Sequence, residues 1–121
     1  MLQFFDGRYI QMENWLIKFN QEVETAHSAR SRGNEGMARV CARRAAGAIA
    51  GEFLRRCNAP DPGPNAYDRL SILAQMIELS GETRQIVSHF LLRITPEHTL
   101  PVEADLIAEA TWLKEKLLNQ P

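Results

Sequence analysis

Residues 45–51, AAGAIAG, restrict the fold more than any other part of the chain. They lie in a run rich in alanine and arginine, residues 35–57, and both residue types favour helix. Gly47 and Gly51 stand one turn apart there, each costing about 1 kcal/mol relative to alanine in a helix interior. With Ala46, Ala48 and Ala50 beside them they make a smooth strip that a second helix can approach closely. That neighbour belongs either to the same chain or to another copy, and the sequence leaves both open.

Four more segments carry helical periodicity. Residues 9–32 place Met12, Trp15, Leu16, Phe19, Val23 and Ala26 at intervals of three and four, one apolar face. RGNEG then breaks the pattern, with Gly33 suited to ending a helix and Asn34 to capping the next. NAPDPGPN, residues 58–65, is the clearest loop. Residues 66–79 follow the candidate cap Asn65 and align Leu70, Leu73 and Ile77. Ser80-Gly81 interrupts. Residues 82–94 align Ile86, Val87, Phe90, Leu91 and Ile94, and Thr95-Pro96 ends them. The last segment, 101–119, opens on Pro101 and aligns Leu106, Ile107, Ala110, Leu113 and Leu117. No segment reads as a strand. Short connections between amphipathic helices favour antiparallel neighbours. The expected fold is all-α, an up-and-down bundle of four or five helices in one domain over residues 1–121.

Composition suits such a domain. The chain has 121 residues, 45% hydrophobic and 24% charged, enough for a real core. No apolar run approaches the length of a membrane span, and MLQFFDGRY lacks the features of a signal peptide. The expectation is a cytoplasmic protein with no membrane partner. Cys41 and Cys57 fall on one expected helix, ~24 Å apart at its rise per residue, too far to bridge. No cysteine or histidine cluster has metal-ligand spacing, so neither metal nor cofactor is expected.

Charge is where function enters. The net charge is −1, which argues against broad coating of nucleic acid. Residues 28–57 nevertheless hold Arg30, Arg32, Arg39, Arg43, Arg44, Arg55 and Arg56 against only Glu35 and Glu52. Arg39, Arg43 and Arg44 are the candidates for an anion-binding face; a solvated arginine face paired with acids elsewhere is the alternative. His27 reads as a histidine at the edge of the first helix's apolar face.

The stretch TRQIVSHF, residues 83–90, sets Arg84 and His89 five apart. Arginine offers a planar fork of donors to phosphate, and histidine moves protons near neutral pH. Cleavage of RNA by its own 2′-hydroxyl needs those two services. Arg93 and His98 repeat the spacing, but Pro96 stands between them, so one helix cannot hold that pair. On a helical wheel Arg84 and His89 lie ~140° apart. Arg84 falls at the edge of the apolar stripe and His89 nearly opposite it, with Gln85, Leu92 and Arg93. Convergence on one phosphate then calls for two copies about a two-fold axis.

Laid out in order, three stretches resemble the HEPN family, the higher eukaryote and prokaryote nucleotide-binding domains. AHSARSRGNEGMARVCARRAAGAIAGEFL is similar to the family's helix, glycine break and alanine-rich second helix. TRQIVSHFLLRITPEH is similar to its arginine, histidine five on, aromatic and later proline, here Arg84, His89, Phe90 and Pro96. VEADLIAEATWLKEKLL is similar to its closing helix, with Trp112 and Lys114. The resemblance implies a helical bundle, commonly a homodimer. In several branches it implies a metal-independent ribonuclease, often a toxin beside a nucleotidyltransferase partner. Arg84 would engage phosphate, His89 would assist cleavage, and Gln85 occupies the polar position after the arginine. Other branches bind nucleotides, a role for Arg39, Arg43 and Arg44 here. The chain departs from the family where Val87, Phe90 and Ile94 replace polar groups, and where Gly47 and Gly51 replace a Glu and a Lys. Three readings follow: an RNA-acting enzyme, a non-catalytic nucleotide-binding or sensing module, or an interaction protein of the same fold.

Overall fold

The computed structural model describes residues 2–5, 8–11, 13–93 and 103–118, the first two stretches as backbone. Five helices follow a two-stranded hairpin: β1 Leu2–Phe5, β2 Arg8–Gln11, α1 Asn14–Ser31, α2 Glu35–Arg56, α3 Ala66–Ala74, α4 Gly81–His89 and α5 Leu106–Leu117. The strands are antiparallel, with Leu2 opposite Gln11 and Phe5 opposite Arg8. The helices form the expected all-α bundle. The first helical segment is corrected at its start, because residues 9–11 belong to β2 and α1 begins only at Asn14. Asp6-Gly7 between two short runs is a hairpin signature that the helical reading passed over.

Side chains begin four of the helices. Asn34, Asn65, Ser80 and Asp105 each accept a hydrogen bond from the backbone N–H three residues on. The end of α1 is closed by Gly33 at φ 79°. Its N–H reaches Arg30 O at 2.9 Å and the Asn34 N–H reaches Ala29 O at 2.8 Å, the paired bonds of a left-handed helix terminus. Asn58, at φ 56°, closes α2 the same way through Arg55 O and Leu54 O. Asparagine tolerates that backbone region better than most residues.

Three other helix limits differ from expectation. α3 stops at Ala74, one turn before Ile77, which is therefore 82% exposed rather than in the core. α4 stops at His89. α5 starts at Leu106 behind its cap Asp105, later than the expected start at Pro101. Ile94, Pro96, His98 and Pro101 lie outside the described residues.

The core runs along α2. Ala26 and Ala29 of α1 and Ala38, Ala42, Ala45 and Ala46 of α2 are all fully buried, small side chains that let α2 and its neighbours approach closely. Larger groups fill the other side: Ile49, Leu70, Leu73, Val87, Phe90, Leu106 and Leu113. The glycine strip meets its neighbour within the chain. A Cβ on Gly47 would lie 2.9 Å from Ala66 Cα, and one on Gly51 would lie 2.5 Å from the Arg69 guanidinium. The first turn of α3 thus lies across α2 at Gly47, where its backbone leaves no room for a Cβ, while the neighbour of Gly51 is the end of the flexible Arg69 side chain. Cys41 is buried and Cys57 exposed, both free. Among the described residues no helix is long and apolar enough to cross a membrane.

Candidate functional site

α4 is only nine residues long and packs against both α3 and α5. That double contact decides where His89 goes. Its side chain is 16% exposed, and its Nδ1 lies 2.9 and 3.1 Å from the two carboxylate oxygens of Glu109 in the first turn of α5. The expectation that His89 faces away from the packed side is overturned: α5 covers it. The carboxylate accepts, so Nδ1 carries the proton in this bond and Nε2 is the nitrogen left for other work. The pair also suits the helix dipoles, with the imidazole in the last turn of α4 and the acid at the start of α5.

Arg84 lies one and a half turns earlier on α4 and is half-buried. Its Nε is shut off from solvent and has no hydrogen-bond partner among the described residues. An unsatisfied buried donor costs about 1–3 kcal/mol. Gln85 is exposed on the same helix.

The arginines of α2 divide. Arg43 donates from Nε to Phe90 O at 2.6 Å and from Nη2 to Leu92 O at 3.3 Å. It thereby holds the carbonyl end of α4, immediately after His89, against α2. Arg39, one turn earlier, lies 4.0 Å from Glu35. Arg44 is exposed and lines a cleft beside α2 that Arg43 also borders. The structure therefore joins Arg43 to the His89 end of α4 and leaves Arg44 apart from it. His27 is exposed rather than at the core edge.

A charged clasp borders the site. Arg30 at the end of α1 hydrogen-bonds Glu35 through two donors at 2.8 and 3.0 Å and Asp105 at 3.0 Å. The Arg30 hydrogen bond holds Glu35 below its ordinary value, and Glu35 in turn raises Arg30. Burial pushes Asp105 up, but the Arg30 bond and backbone N–H donors outweigh it and leave Asp105 lowered. Since Asp105 caps α5, this clasp also sets where Glu109 stands, one turn on.

Sequence reasoning missed Glu109. A signal was present: Glu109 is three residues after Leu106 and four before Leu113, a carboxylate set inside an apolar stripe. Among the described residues no three His, Cys, Asp or Glu side chains gather as a metal site. The chain matches no family model, no curated protein and no solved structure.

Proposed function

We propose that the chain acts on RNA as a metal-independent, HEPN-like endoribonuclease, with His89 moving the proton and Arg84 meeting the phosphate. The observation that carries this reading is the His89–Glu109 pair at 2.9 Å, which fixes the ring and leaves Nε2 as a base. In the proposed step Nε2 takes the 2′-hydroxyl proton as that oxygen bonds to phosphorus. The P–O5′ bond breaks, the proton passes to the 5′ oxygen, and the products carry a 2′,3′-cyclic phosphate and a 5′-hydroxyl. Arg84 supports the reading because it is half-buried on the same short helix as His89, with a guanidinium that suits a phosphate. A homodimer brings two Arg84–His89 sets together, and a nucleotidyltransferase-type protein fits as a partner in the cell.

The test is cleavage of labelled single-stranded RNA in chelator by purified protein. His89→Ala is expected to lower the rate by about 10²–10⁴-fold, the usual worth of a general acid–base. Glu109→Gln, at the positioning residue, is expected to change the pH profile of cleavage while leaving the melting curve nearly in place. Cleavage by His89→Ala equal to that of the parent overturns the assignment. Sedimentation showing a strict monomer at micromolar concentration removes the two-copy arrangement.

The second reading, a nucleotide-binding module without catalysis, is favoured by the exposed Arg44 in its cleft. Calorimetric titration with nucleoside triphosphates separates it from the first.

A further inference from the structure

A cleft of about 1080 Å³ lies between the first half of α1, the outer face of α2 and the start of α3. Its floor is one stripe of α2, where Arg44, Ala48, Glu52 and Arg55 follow at helical spacing. Trp15 and Lys18 of α1 form one wall, and Tyr67 stands on the other. Five basic side chains line it against two acids.

Most of those cations are already engaged. Arg55 is bound to the buried Glu52 at 2.6 Å, Arg69 donates to Gly63 O, and Arg43 holds the end of α4. Arg44 has no hydrogen bond or ion pair among the described residues and is exposed. Lys18, 57% exposed, reaches only Glu22 on its own helix. Both cations line the cleft, Lys18 from α1 and Arg44 from α2. Tyr67 is 52% exposed, a large aromatic left uncovered at the edge of a basic cleft. The Asn65 cap takes the Asp68 N–H, and the Arg69 N–H goes to Asn65 O. The first turn of α3 thus keeps N–H groups with no helical acceptor at Ala66 and Tyr67, two residues that line the cleft.

We propose that this cleft binds a short stretch of single-stranded RNA, with phosphates against Arg44 and Lys18 and a base stacked on Tyr67. Cations tracking a backbone beside an exposed ring are the features that hold single strands without reading their sequence. The volume is at the top of the range for small-molecule pockets, which favours a strand over a free nucleotide. The choice of RNA also rests on the reading of His89 above. Arg43 lines the cleft and donates to the carbonyl of Phe90, the residue after His89, so one side chain joins the cleft to the end of α4.

The experiment is fluorescence anisotropy of a labelled oligouridine on a His89→Ala background, where the RNA stays intact. Tyr67→Ala is expected to weaken binding by about 5- to 100-fold, the worth of one base–aromatic stack. Arg44→Ala is expected to lower the slope of log K against log salt by about 0.7, one phosphate on a single strand. Both positions are exposed, and thermal melts check that the variants fold. Binding that both variants leave within twofold of the parent overturns the proposal, as does a parent that binds no oligouridine. Uridine monophosphate binding as tightly as the oligomer overturns it in favour of a nucleotide site. If the His89-intact protein cleaves RNA and the Arg44 and Tyr67 variants keep its kcat/KM, the cleft fails while the His89 reading stands. Oligomer binding through Arg44 and Tyr67 without any cleavage gives the reverse.

Discussion

The α1–α2 pair and the α4–α5 pair are both contacts between successive helices of one bundle, yet they are made of different material. α1 and α2 are 18 and 22 residues long and carry six fully buried alanines between them. α4 and α5 are 9 and 12 residues long and are tied by a histidine–carboxylate pair. The long pair gains from close backbone approach over many turns. The short pair has fewer turns and is joined by an ion pair between its two helices, whereas the buried carboxylates of the long pair, Glu22 and Glu52, find their cations on their own helices. The difference sets a long contact built on small side chains against a short joint tied by His89 and Glu109.

That division can be broken by experiment. The largest effect is expected from Ile49→Ala, which empties a fully buried position on α2 and costs about 2–5 kcal/mol in urea unfolding. RNA cleavage per folded molecule should be unchanged; a loss of activity with stability intact would erase the contrast. Gly47→Ala comes next. Its methyl would run into the first turn of α3, so a cost of about 1–3 kcal/mol is expected despite alanine's better helix propensity, read as a lower urea midpoint.

Acid sharpens the comparison further. Hydrogen bonds from Arg55 and then Arg56 hold Glu52 below its ordinary 4.5, and Arg30 holds Glu35 below the same value. Carboxylates lowered in the folded state contribute stability that is present above pH 4.5 and lost as pH falls through the folded value. Melting temperature is therefore expected to drop below pH 4.5, and Glu52→Gln should flatten part of that drop. The smallest effect is expected from Asn34→Ala, which removes the cap of α2 and costs about 1 kcal/mol by thermal melt, with no change in cleavage.

The long helices were legible because their signals were local. Gly33, Asn34 and Asn65 mark helix ends by their own backbone and side-chain chemistry, and each does in the structure what its residue type favours. The glycine strip was legible as a close approach, and only the identity of its neighbour needed the fold. His89 was placed wrongly for a related reason. A helical wheel gives an angle about one axis but not how many neighbours surround that axis, and a nine-residue helix here has two. Ile77 was misplaced because its periodicity outlasted α3, which turns away after Ala74. β2 was absorbed into α1 because Tyr9 and Met12 also fit a spacing of three.

The Arg30 clasp carries a consequence for how the chain comes together. Most helix contacts join neighbours in sequence, α1 to α2, α2 to α3, α3 to α4 and α4 to α5, and such contacts form quickly. Arg30 and Asp105 are 75 residues apart, and α5 also lies against α2 and α1. α5 therefore depends on contacts distant in sequence, and its docking both covers the apolar surface that receives Leu106, Ile107 and Leu113 and brings Glu109 beside His89.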